Sequence, residues 1–402
     1  MKILHTSDWH LGHRLYEQSQ LEEQLLFLHW LKDCIKENKI DVLLVAGDIF
    51  DTSVPSSQSQ KLYYDFLITM RETNCKHVII TGGNHDAPGT INAPKELLNA
   101  LSVRVIGKAT ENIEDEVFEL DVNEEKIIVA AVPYLRDQDI RRAVAGESFD
   151  VIGMRYQKAL TNHYNEIANY CESINKENCP VIAMGHLFAI GGQPSDSEQR
   201  IYVGNLGDIH AKDFPTYFDY IALGHLHRPQ EVDKFEKIRY SGSPYILSFS
   251  EIGYDKQVVI LESDNQSITK ITSKKVPSFR SIVKIKGSFE HCVYLLRNIE
   301  INDFKLTPWV EIILDIEEHQ GDEYNRIYQE AKTLNLEILK VSFANVISNV
   351  GLNEIENTAK NLKELRPIEV FTMKCKEMNY DLENHPEVMD AFNEILQIVS
   401  NN

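Results

Sequence analysis

Cysteine is scarce and unpaired in this chain. The six cysteines, at positions 34, 75, 171, 179, 292 and 375, include no C-x-x-C pair. They read as reduced, mostly buried thiols of a cytoplasmic protein. No apolar run approaches the ~18 residues of a membrane span, so no membrane association is expected. The start, Met1–Lys2–Ile3–Leu4–His5, lacks the apolar core of a signal peptide. Internal repeats and low-complexity tracts are absent. Positive charge is also short: 41 Lys and Arg face 61 Asp and Glu, for a net charge of −20. That excludes a simple nucleic-acid binder relying on a basic surface. Either the substrate is not a nucleic acid, or bound metal or a partner supplies the positive charge. What is present is ordinary for a globular protein: 43% apolar and 25% charged residues. The 402 residues predict two or three domains.

The stretch Val78–Ile79–Ile80–Thr81–Gly82–Gly83–Asn84–His85–Asp86 organises the chain. An apolar run too short for a helix predicts a buried strand. Two glycines then let the backbone turn sharply and approach something closely. Asn84 offers a neutral oxygen to a metal. His85 offers an imidazole, either behind the ligands or facing substrate. Alone, the stretch could be a turn built from turn-forming residues.

The same design recurs. A strand at 3–6 opens onto Asp8 and His10, whose spacing turns both side chains one way in an extended segment. A strand at 42–46 ends at Gly47–Asp48, with Asp51 beyond. Strands at 180–184 and 220–223 run into Gly185–His186 and Gly224–His225–Leu226–His227. Leu21, Leu25, Leu28, Leu31 and Ile35 mark an amphipathic helix over 21–38, and a second helix is expected over about 57–73. Further strands are expected at 103–106, 126–132, 238–240, 244–249 and 257–262, and a helix at 154–176. The alternation of strand and helix predicts an α/β sandwich.

From about 278 the pattern changes. Strand-like segments at 282–285, 309–314 and 338–341 flank helix-like ones at 289–298 and 322–335. No ligand motif appears there. We expect domains at 1–277 and 278–345, the second a small α+β unit capping the first. A polar linker at 346–366 and a helical tail at 367–402 would follow. The acidic run Asp315, Glu317, Glu318, Asp322 and Glu323 reads as a solvated face. In the tail, Ile368, Phe371, Cys375 and Met378 share one helical face. Val388, Met389, Phe392, Ile395, Leu396 and Val399 line another. Exposed together, such faces exceed what a monomer tolerates, so they dock on this chain or on a partner.

In an open α/β sheet, loops at the carboxyl ends of strands converge on one crevice. Seven candidate ligands meet there: Asp8, His10, Asp48, Asn84, His186, His225 and His227. They are too many for one ion and suit two ions sharing a carboxylate. Imidazole, carboxylate and amide oxygen without thiolate favour Mn²⁺, Fe or Zn²⁺ over Ca²⁺. Two metals about 3.5–4 Å apart are an apparatus for phosphate-ester hydrolysis. Two divalent ions against the carboxylates of Asp8 and Asp48 leave about +2 at the site, which eases the charge problem.

In this order D-x-H, G-D-x-x-D, G-N-H-D, G-H and G-H-x-H resemble the calcineurin-like metallophosphoesterases. The match is closer to their SbcD nuclease family at Asp8–Gly12, Ala46–Asp51, Gly83–Asp86, Phe188–Gln193 and Leu223–His227. The resemblance spans the first ~250 residues and is weaker beyond; no ligand position departs from it. It implies a sandwich of two mixed β-sheets flanked by helices. It also implies one ion held by Asp8, His10, Asp48 and His227, and another by Asp48, Asn84, His186 and His225. His85 would assist the leaving group, and Asp51 and Asp86 would orient histidines. The family further implies Mn²⁺, exonuclease action on duplex DNA ends, endonuclease action on hairpins and single strands, and a homodimer through the nuclease domain. It implies an SMC-type ATPase partner resembling SbcC, docked through residues 367–402. Arg14, Tyr16 and Arg136 are candidate DNA contacts. Other two-metal phosphoesterases, such as phosphoprotein phosphatases and cyclic-nucleotide phosphodiesterases, and a non-catalytic scaffold are the competing readings. The appended domain and tail speak against the first, and the complete ligand set against the second.

Overall fold

The computed structural model describes residues 1–136, 139, 149–194, 209–299, 304–315 and 323–344. The expected linker and helical tail lie outside the described residues, as do Glu317, Glu318 and Asp322.

Two six-stranded sheets stack face to face. The first runs in the order Ile268–Lys275, Gln257–Ser263, Lys2–Thr6, Val42–Ala46, His77–Thr81, Val103–Ile106. Its last four strands are parallel, and Gln257–Ser263 joins them antiparallel. The second runs Gln230–Val232, Phe235–Tyr240, Tyr220–Gly224, Val181–His186, Glu125–Ala131, Val117–Val122. Four parallel strands lie between antiparallel edges. Both sheets are mixed, as the resemblance implies.

Side chains alternate between faces with period two, and both faces here are apolar. Val42, Leu44 and Ile79 meet Ile127, Val129, Ile182 and Ala222 between the sheets. Leu43, Val45 and Ile80 point outward onto the helices Leu21–Asn38 and Ser57–Thr69, with Trp9, Phe27, Leu31 and Phe66. The helix Phe149–Ile174 covers the second sheet, where Tyr164 and Ile167 pack on Ile128, Ala183 and Leu223. Ser56 starts the helix Ser57–Thr69 by accepting from Ser59 N–H at 3.1 Å.

Segment 244–249, expected as a strand, is not one. Its hydrogen bonds leave the ladder: Leu247 N–H donates to the Glu251 carboxylate at 3.1 Å, and Leu247 carbonyl accepts from His13 Nε2 at 3.0 Å. The segment instead ends in a short 3₁₀ turn, Phe249–Glu251.

The small domain is a three-stranded sheet, Arg280–Gly287, Leu306–Asp315 and Glu337–Ala344. It is parallel throughout, so strand and helix alternate rather than segregate as an α+β unit would. Helices Phe289–Arg297 and Glu323–Thr333 pack on one face, over Ile285, Val310, Ile312 and Leu314. The other face carries Ile282 and Trp309, which pack with Leu15 and Phe249 of the sandwich. Beside them Arg280 Nε lies 3.3 Å from buried Glu23, its guanidinium 3.9 Å above the Trp309 ring.

Candidate metal centre

Each predicted ligand sits just beyond the carboxyl end of a strand, and the structure brings all seven together. Asp8 and His10 follow Lys2–Thr6; Asp48 follows Val42–Ala46; Asn84 and His85 follow His77–Thr81. His186 ends its own strand, and His225 and His227 follow Tyr220–Gly224. The backbone there is bent out of ordinary conformations. Asp8, His10, Asp48 and His225 all have positive φ, at 54°, 42°, 49° and 105°. Such conformations cost side-chain-bearing residues energy and persist only where the surroundings fix them. Gly83 allows a close approach between two of these loops. A Cβ there would lie 2.1 Å from Asp48 Oδ1.

Among the described residues, three groups of donor atoms lie close enough to share an ion: Asp8, His10 and His227; His10, Asp51 and His85; and Asp48, His186 and His225. Asp48 lies between them. Its Oδ2 is 3.5 Å from His10 Nε2 and 3.2 Å from His186 Nε2. Asn84 Oδ1 is 3.0 Å from both His186 Nε2 and His225 Nδ1. His186 Nδ1 donates to the Ala46 carbonyl at 2.9 Å, so the neutral ring, the form that binds a metal, has its lone pair on Nε2. The buried ring nitrogens of His10 have no hydrogen-bond partner, although Asp48 and Asp51 carboxylates stand 3.5 and 3.3 Å away. Orphaned imidazole nitrogens facing the buried Asp48 and half-buried Asp51 carboxylates fit a divalent cation.

Charge is unbalanced in the same sense. Burial alone would lower the His10 and His186 pKa values, yet carboxylates around each raise both to about 9: Asp51, Asp48 and Asp8 for His10, Asp48 and Asp8 for His186. Burial pushes the Asp8 carboxyl up, against the pull of His186 and His227. Burial and the neighbouring His186 take His225 down to about 3. The pocket thus favours positive charge near its carboxylates while burying it from water.

The surrounding residues divide by what they touch. Asp51 Oδ1 approaches His10 Nδ1 at 3.3 Å and His13 Nδ1 at 3.6 Å. Asp86, expected to orient a histidine, binds backbone instead. Its carboxylate accepts from the N–H groups of Ile49, Phe50 and Gly83 at 2.9–3.0 Å, clamping the Asp48 loop to the Asn84 loop. His85 N–H donates to Asp48 Oδ1 at 2.9 Å, and its Nδ1 donates to the Asp51 carbonyl at 2.7 Å. Arg136 Nη2 donates to the Asp86 carbonyl at 2.8 Å, beside the same loop. Tyr16 turns to the small domain, stacking on Phe249 and donating to Glu311 at 3.0 Å. Arg14 is exposed and donates to the Glu17 carbonyl.

Sequence reasoning missed Glu251. It is fully buried and accepts from His227 Nδ1 at 2.9 Å, which puts the His227 proton on Nδ1 and the lone pair on Nε2. No spacing rule points to it, because it lies in an irregular segment away from every strand end.

Residues 1–229 match the family described as Calcineurin-like phosphoesterase. Residues 278–379 match the Type 5 capsule protein repressor C-terminal domain. The D subunit of the nuclease SbcCD from Escherichia coli (strain K12) is 32% identical over 342 residues, 85% of this chain and 84% of that protein. Its namesake from Bacillus subtilis (strain 168) is 35% identical over 269 residues, 65% of this chain and 66% of that protein. The one from Rhodobacter capsulatus is 35% identical over 271 residues, again 65% and 66%. Sequence likeness of this extent, on a fold that gathers imidazoles and carboxylates at strand ends, has one reading. The chain belongs to the SbcD nuclease family of calcineurin-like phosphoesterases, hydrolases that depend on divalent metal ions.

Proposed function

We propose that this protein is a two-metal, Mn²⁺-dependent DNA nuclease that trims duplex ends and cuts hairpins and single strands. The carrying observation is the place of Asp48, within 3.5 Å of one imidazole group and 3.2 Å of the other. A carboxylate so placed would serve two ions at once. Asp8, His10, Asp48 and His227 would hold one; Asp48, Asn84, His186 and His225 would hold the other. Divalent ions held by these residues would supply Lewis acidity, lowering the pKa of water and offsetting phosphate charge. The chain's own residues do the rest. Hydrogen bonding of His85 Nδ1 to the Asp51 carbonyl directs its second nitrogen, Nε2, to substrate. Protonated on both ring nitrogens, it would supply its Nε2 proton to the departing sugar oxygen. Asp51 orients His10, and Asp86 fixes the two loops that carry Asp48 and His85. Arg136, bonded to that loop, is the best placed of the candidate DNA contacts.

The relatives' name describes one part of a complex, SbcCD. We assign this chain the same part: an ATP-dependent complex with an SbcC-like SMC-type ATPase docked on residues 367–402, with a homodimer formed through the nuclease domain. The partner would bring the basic DNA surface that a chain of net charge −20 lacks. No helix among the described residues is long and apolar enough to cross a membrane, which fits a cytoplasmic DNA-repair and recombination role. The small domain would cap the crevice and help select DNA.

One assay tests the activity. Linear duplex, hairpin and single-stranded DNA, p-nitrophenyl phosphate and a cyclic nucleotide are offered side by side with Mn²⁺. DNA cleavage well above the small esters is expected. Preference for a small ester would move the protein to the general phosphoesterases.

A further inference from the structure

Glu251 is held from several sides. One carboxylate oxygen accepts from His227 Nδ1 at 2.9 Å. The other accepts from Lys256 Nζ at 2.6 Å and from Leu247 N–H at 3.1 Å. Buried Lys256 donates in turn to Ser243 Oγ at 2.6 Å. The same short turn presents Phe249 to the small domain. Phe249 packs with Ile282 and Trp309, and Tyr16 stacks on it with ring centroids 5.5 Å apart. The turn is closed by Glu251 N–H to the Ser248 carbonyl at 2.9 Å and by Ser250 N–H to Ser248 Oγ at 3.3 Å. Phe249, which meets the small domain, and Glu251, which meets His227, thus sit two residues apart on one hydrogen-bonded turn.

We propose that the turn Phe249–Glu251 couples the small domain to the metal centre. The domain, seated on Phe249, holds Glu251 where it orients His227, and so sets the affinity of the metal position that His227 serves. The inference rests on the ligand assignment proposed above. Among the described residues, the small domain adds no ligand of its own; it acts through a positioning residue. Partners of this kind, one shell behind the ligands, fix the tautomer and direction of a metal-bound imidazole. Losing one costs about 10–100-fold in metal affinity.

The test titrates Mn²⁺ into the full-length, metal-stripped protein by calorimetry and records thermal melting separately. Wild type should show two binding events. His227→Ala should remove or cripple one of them; two intact events would sink the ligand assignment itself. Glu251→Gln is combined with Lys256→Met, so that no buried ammonium is stranded. The pair should weaken that same event about 10–100-fold and leave the other alone. Trp309→Leu, on the far side of the turn, should weaken the same event severalfold. Phe249→Leu should do likewise and decides the matter with Trp309→Leu if the double variant does not fold. Unchanged Mn²⁺ affinities in Trp309→Leu and Phe249→Leu, with melting lowered, would overturn the coupling. So would equal weakening of both events in step with melting temperature, which would mark a merely structural role.

Discussion

The sandwich and the small domain are built on the same plan and put to different use. Both have parallel strands joined through helices, and both therefore gather loops at the strands' carboxyl ends. In the sandwich those strand ends carry Asp8, His10, Asp48, Asn84, His186, His225 and His227, with Asp8, His10, Asp48 and His225 on strained backbone. In the small domain Asp315 and His291 lie at or near strand ends, but the described residues gather no cluster of carboxylates and imidazoles there. Its notable polar residues, Glu311 with Lys284 and Lys340, sit in mid-strand on the sheet face, where Tyr16 meets them. Topology makes the crevice, and residue chemistry at the strand ends makes it a site.

The contrast can be broken most forcefully at Asp48, the carboxylate proposed to be shared. Asp48→Ala should abolish DNA cleavage and both Mn²⁺ binding events in calorimetry. Retention of two equivalents of Mn²⁺ would refute the proposed ligand set. Next comes His85→Gln, which separates chemistry from binding. Turnover should fall about 10²–10⁴-fold while Mn²⁺ stoichiometry and DNA affinity stay. Near-normal rates would reduce His85 to a structural part. Asp86→Asn tests the clamp between loops. Weakening charge-assisted bonds to three backbone N–H groups should cost about 1.5–3 kcal/mol in urea unfolding with chelator present. Smallest is Glu311→Gln in the small domain. Its lysine partners are 45% and 44% exposed, and solvent screens them, so the loss should stay below about 1 kcal/mol with Mn²⁺ binding unchanged. A large loss of metal in that variant would mean that this face reaches the centre by more than the Phe249 turn.

What the sequence discloses follows from where its signals lie. Asp48, Asn84, His186 and His225 follow a glycine at the end of an apolar run, a local pattern readable without any contact map. The central strands are equally legible, because burial on both faces makes them continuously apolar. The strands Val117–Val122 and Ile268–Lys275 escape a reading by pattern. Both are sheet edges, and Glu119, Asp121, Lys270 and Lys275 break their hydrophobic pattern with exposed charge. Segment 244–249 misleads in the opposite direction. Tyr245, Ile246 and Leu247 imitate a strand by their run of apolar side chains, while Leu247 spends its hydrogen bonds on Glu251 and His13. Glu251 itself, and the turning of Tyr16 toward Glu311, depend on contacts between segments far apart in the chain. No periodicity encodes those.

The order of strands in the first sheet also bears on how the protein comes into being. Lys2–Thr6 is an interior strand, flanked by Val42–Ala46 on one side and by Gln257–Ser263 on the other, with Lys2 opposite Glu262. A strand synthesised early therefore waits for one of the last strands of the sandwich. Pairings so distant in sequence are slow to form, since a long loop must close before any contact rewards it. At about 5–20 residues per second, a ribosome needs some tens of seconds or less to deliver that partner. Until then one side of Lys2–Thr6 offers an open edge, and Asp8 and His10 just beyond it have only part of their surroundings. The strand-end cluster is accordingly completed late on the nascent chain, and the interval before it is when the protein is most exposed to misassembly.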